Sequence, residues 1–146
     1  MTLGTDLLGA IVAHVIYVSS IVTFTCRLLF RNRPGHWVGI PLLLMAFPLT
    51  YLLLTAPRNH RPGLYYLQTG LMLLWIVILF LVDYLLKLDF RQTQWMVISF
   101  VMLYFAGMGG MIGVAAAAGR SWLISAVILF LISGVLSFVQ RRITGI

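Results

Sequence analysis

Short clusters of charge cut this chain into five long apolar runs, and that pattern leaves few folds open. Only 10 of its 146 residues are Lys or Arg and 3 are Asp or Glu, while 62% are hydrophobic. The runs cover about residues 7–30, 37–55, 64–86, 95–118 and 122–139. A bilayer crossing takes about 20 predominantly apolar residues in a helix. The runs are continuously apolar, whereas a membrane barrel would alternate apolar and polar residues. Helices also satisfy their own backbone hydrogen bonds, as hydrocarbon demands. The expected fold is all-α: a single polytopic integral membrane helical bundle over residues 1–146 with five transmembrane helices.

The few charges set an orientation. Five crossings put the termini on opposite sides. One side carries Arg27, Arg31, Arg33, Lys87, Arg91, Arg141 and Arg142; the other carries Arg58, Arg61 and Arg120. The positive-inside bias predicts an outer N-terminus and a cytoplasmic C-terminus in a multi-pass protein of the cell membrane. No Lys or Arg precedes the first run, and positive charge follows it, the reverse of a cleavable signal peptide. The first run is read as a retained helix. Trp37, Trp95 and Trp122 each open a run, at the depth amphipathic rings prefer.

Within the runs, the polar residues mark candidate sites. His14 lies about seven residues into the first span, near 10 Å deep at 1.5 Å per residue. An ionisable group at such depth is a functional candidate by default. Asp6, Ala10, His14 and Tyr17 share one helical face, which suits a polar cavity lining or a proton relay. Gln68, Met72, Trp75, Leu79 and Asp83 form a second stripe. Its amide, indole and carboxylate make Gln68, Trp75 and Asp83 cavity candidates beside His14 and Tyr17. Each has a plainer alternative: His14 as a neutral bonded core residue, and Asp83 as an i,i+4 partner of Lys87.

Small residues mark packing faces. Gly109, Gly110, Gly113 and Ala117 in the fourth span repeat at the spacing that lets helix backbones approach in lipid. Gly134, Ser125, Ser133 and Ser137 make the fifth span their expected partner. The fourth span is read as one continuous helix, with an interruption at its glycines as the alternative. Pro48 falls mid-span in the second run and predicts a kink. Arg31, Arg33, Arg58, Arg61 and Arg91 are expected to meet lipid headgroups.

One cysteine, Cys26, excludes an internal disulfide. His36 and His60 sit in turns on opposite sides, so no metal site is expected, and no cofactor motif is present. The net charge of +7 flanks membrane spans, which points to lipid phosphate and away from nucleic acid. The expected role is an accessory, assembly or interaction component of the membrane, as a homo-oligomer or with a membrane protein partner. The alternative is a binder or transporter of a small lipophilic or lipid-like molecule in a cavity between helices. An enzyme is the least supported class and would need His14 or Asp83 as its acid or base.

Overall fold

The computed structural model describes residues 2–29, 40–58, 60–85 and 94–144, without the side chains of residues 2, 3, 27, 83, 84 and 144. Every regular element among them is helical. They are α1 (Thr2–Leu29), α2 (Ile40–Leu44), α3 (Ala46–Thr55), α4 (Gly63–Leu79), α5 (Gln94–Ala116) and α6 (Arg120–Thr144). A π-helical turn, Phe80–Leu85, extends α4. Four helical stretches are long and apolar enough to cross a membrane: Gly4–Cys26, Gly63–Val82, Gln94–Ala116 and Arg120–Ile143.

The described part of the second run, Ile40–Thr55, is shorter and broken. Pro48 has no N–H for the carbonyl of Leu44, and its ring crowds that carbonyl. The helix therefore stops at Leu44 and restarts after Met45, whose N–H reaches only three residues back, to Leu42 O at 3.2 Å. The two pieces together rise about 24 Å, less than the roughly 30 Å hydrocarbon core.

Tight turns join α3 to α4 and α5 to α6. Gly119 takes the left-handed φ of +143° between α5 and α6, a conformation that suits glycine. The turn into α4 carries His60 at φ 51°, an uncommon value for a non-glycine residue. That turn closes with Arg61 N–H on Ala56 O at 3.2 Å, and Pro62 then opens α4.

Cross-helix contacts fix the directions of the helices. Gly9 lies beside Val114 and Tyr17 bonds Met108, so α1 and α5 are antiparallel. His14 meets Ser125 and Tyr17 meets Phe130, so α1 and α6 are parallel. Gly107 abuts Met72 while Gly110 abuts Gln68, so α4 and α5 are antiparallel. The core is built where α1, α4 and α5 converge: Ile16, Tyr17, Met72, Ile76, Met108 and Met111 are fully buried. The helix α6 packs on α1 and α5 and leaves most of its apolar surface outside.

The glycines of the fourth run do not interrupt it; α5 is one α-helix through all of them. They seat the helix on α4, not on α6 as the small residues of the fifth run suggested. A Cβ on Gly110 would stand 3.1 Å from the Gln68 Cα, and one on Gly107 3.2 Å from the Met72 Cα. On the α6 side, Gly134 faces only the Phe105 ring at 3.7 Å. The approach belongs to α4 because its facing positions bring backbone against backbone, while α5 and α6 meet through aromatic rings.

Candidate functional site

His14 is held by three neighbours. Its Nδ1 is 2.8 Å from the Ala10 carbonyl, one turn back on α1. Its Nε2 is 2.6 Å from Ser125 Oγ on α6. The Trp122 ring meets the imidazole edge-on at 5.0 Å between centroids. Ser125 Oγ also lies 3.2 Å from the Trp122 carbonyl. A helix cannot place Ser125 opposite His14 on its own, because 111 residues separate them. The parallel packing of α1 on α6 does so. In the sequence, Ser125 is legible only as a small residue on a packing face.

One turn deeper, the Tyr17 hydroxyl donates to the Met108 carbonyl at 2.5 Å, tying α1 to α5. The site is fully buried, so this bond has no competing water. Tyr17→Phe is expected to lower stability by about 1 kcal/mol, the net worth of such a bond. Thermal unfolding in detergent micelles would measure it; an unchanged midpoint would mean that Met108 gains nothing from the hydroxyl.

Below that level, four helices bring polar groups together. The Tyr104 hydroxyl on α5 faces Ser20 on α1 and Ser133 on α6. Its ring packs 5.1 Å from that of Trp75 on α4. Ser133 returns its hydrogen bond to Leu129 O at 2.7 Å. Among the described residues, Trp75 Nε1 is buried without a hydrogen-bond partner. An orphaned polar atom in an apolar interior costs about 1–3 kcal/mol.

The four cavity candidates whose side chains are described do not line one cavity. Gln68 is half-buried and lies across Gly110 and Gly113. Trp75 is buried between Phe100 and Tyr104. His14 and Tyr17 face α6 and α5. The side chain of Asp83 lies outside the described residues, but its backbone position is informative. The stripe from Gln68 to Asp83 assumes 3.6 residues per turn, and from Phe80 onward the helix is π-helical, which displaces Asp83 from that line. Asp83 also stands 22 residues beyond Arg61, whereas His14 stands 8 beyond Asp6, the partner of Arg61. The two backbone positions are thus about 20 Å apart along the bundle.

A groove of about 320 Å³ opens between the π-helical end of α4 and the start of α5. Ile78, Val82, Trp95, Met96, Ser99, Phe100 and Leu103 line it, and it is almost wholly apolar. None of the four cavity candidates with described side chains contributes to it.

At the N-terminal end of α1, the cationic turn divides. Arg58 and His60 are exposed. Arg61, expected among headgroups, turns inward in the structure. It forms an ion pair with Asp6, donates to Thr5 Oγ1 at 3.0 Å and lies over the Tyr65 ring at 4.8 Å. The left-handed turn at His60 delivers the guanidinium to the first turns of α1. Asp6 attracts it there because a carboxylate so little hydrated needs a counter-charge. Arg31, Arg33 and Arg91 lie outside the described residues.

The glycine set divides as well. Gly110 and Gly113 lie against Gln68, a Cβ on Gly109 would meet nothing within 4 Å, and Ala117 is exposed in the turn after α5. Among the described residues, no three His, Cys, Asp or Glu side chains converge as metal ligands would. No protein family, curated protein or solved structure matches this chain.

Proposed function

We propose that this chain is a non-catalytic component of the cell membrane that acts by packing against a partner helix, from a second copy or another membrane protein. In this reading the N-terminus lies outside, and the arginine-rich end with Arg141 and Arg142 lies in the cytoplasm. The observation that carries it is the outer face of α6. Ile124, Ile128, Leu131, Val135 and Phe138 are all exposed there, at successive spacings of 4, 3, 4 and 3 residues. That is the seam of a left-handed helix pair, the commonest packing between membrane helices. Trp122, Ser125, Ala126 and Ser133 turn toward the bundle. The polar side chains of the interior support the same reading: Asp6–Arg61, His14–Ser125 and Tyr17–Met108 each tie two parts of this chain together.

The test is native mass spectrometry from lipid nanodiscs. The unaltered chain is expected as a defined oligomer or with a co-purified protein. Replacing Ile128, Leu131 and Val135 by Ala together is expected to abolish that species while insertion persists. A monomer that retains one small molecule would overturn this reading. It would favour the second one, a binder of a lipophilic or lipid-like molecule, for which the apolar groove between α4 and α5 is the supporting observation.

A further inference from the structure

The geometry points to a proton-binding site at His14 and Ser125, built so that both protonation states of the imidazole keep all their hydrogen bonds. The partners assign the tautomer. The Ala10 carbonyl can only accept, so Nδ1 carries a hydrogen and donates to it at 2.8 Å. In the neutral ring, Nε2 is then an acceptor, and the Ser125 hydroxyl donates to it at 2.6 Å. When a proton arrives from the aqueous phase, it bonds to Nε2. The Nε2–H now donates to Ser125 Oγ. The hydroxyl hydrogen rotates to the Trp122 carbonyl, already 3.2 Å away. Nδ1 continues to donate to Ala10. No heavy atom moves in either direction.

Such a frame is unusual for an interior histidine. A partner that only accepts or only donates satisfies one state and orphans the other. A serine hydroxyl does both, provided its hydrogen has a second acceptor, and Trp122 supplies one. The Trp122 ring, edge-on at 5.0 Å, holds the imidazole plane in either state. Histidine is also the side chain that ordinarily changes charge near neutral pH.

The titratable and charged groups around the site are few. On α1 they are Asp6, two turns above, and Tyr17, one turn below. Arg120 begins α6, and Tyr104 is the titratable residue of α5. From the turn into α4 and its first residues come Arg61, paired with Asp6, and Tyr65 under the guanidinium. The site does not depend on what covers the outer face of α6.

Nitrogen-15 NMR of histidine-labelled protein in nanodiscs tests the proposal directly. His14→Gln identifies which of the three histidine signal sets belongs to His14. At high pH the Nδ1–H tautomer is expected, opposite to the form free histidine favours. On acidification, Nε2 is expected to gain its proton while the Nδ1 signal and the amide signals of α1 and α6 stay in place. In Ser125→Ala the same proton finds no acceptor, so acidification is expected to shift the Trp122 indole and nearby α6 amides. An Nε2–H tautomer at high pH would overturn the proposal. So would an imidazole that takes up no proton by pH 4.5, or a Ser125→Ala protein that titrates with an undisturbed spectrum.

Discussion

Arg61→Ala is expected to destabilise the bundle by about 3 kcal/mol, because it leaves a carboxylate with little water and no counter-charge. The side chains of Asp6 and Arg61 are only 15% and 12% exposed. Removing the guanidinium costs the ion pair, the bond to Thr5 Oγ1 and the stacking over Tyr65 together. The reciprocal Asp6→Ala leaves the guanidinium near its aromatic ring and at the edge of the bundle, where the long side chain can turn to water. Its cost is expected to be smaller. Asp6→Ala combined with Arg61→Ala is expected to recover part of the loss, since neither charge is then orphaned. Unfolding midpoints of the four proteins in one detergent decide this. Equal and additive losses would mean that the pair is solvated in the membrane-bound protein and contributes little.

Gly110→Leu is expected to cost about 3 kcal/mol or more, and within a single chain rather than between chains. The backbone of Gln68 stands where the new side chain must go, and backbone cannot rotate away as a side-chain tip does. The alanine series separates the mechanism from a general effect of glycine replacement. Gly110→Ala and Gly107→Ala both press on α4 backbone and are expected to destabilise. Gly113→Ala meets only the amide end of Gln68, which can swing aside, so its cost should be lower. Gly109→Ala meets nothing and is expected to stabilise by about 0.5–1 kcal/mol, the helix propensity that glycine forgoes. If Gly109→Ala destabilised the isolated chain as much as Gly110→Ala, the α4–α5 contact described here would be wrong. If it were neutral in the chain but dissolved an oligomer, Gly109 would belong to an external interface.

The helical class of this protein was legible from its sequence, because hydrocarbon tolerates few ways of satisfying a backbone and the apolar runs have helix-crossing lengths. The continuity of α5 through its glycines was legible as the favoured reading for a related reason: in lipid an interrupted helix needs other groups to satisfy its freed backbone. The break in the second run was visible as Pro48, since a missing N–H is a covalent fact. What lay beyond reach was the pairing of faces. Periodicity says that Gly107, Gly110 and Gly113 share a side of a helix, but not whether α4 or α6 lies against it. Within the stripe that ends in Asp83, one π-helical turn changes the period, and nothing in Phe80–Leu85 announces it.

The sequence by itself determined the solvent, the helices and the ends at which charge accumulates, because these depend on transfer energies and local chain geometry summed residue by residue. Only the tertiary structure decided that Arg61 turns inward to Asp6, that Ser125 completes His14, and that Gln68 closes over the glycines of α5. Each of those contacts joins residues more than 40 positions apart. Their energies depend on distance and direction across a helix interface, which no property of either segment alone contains.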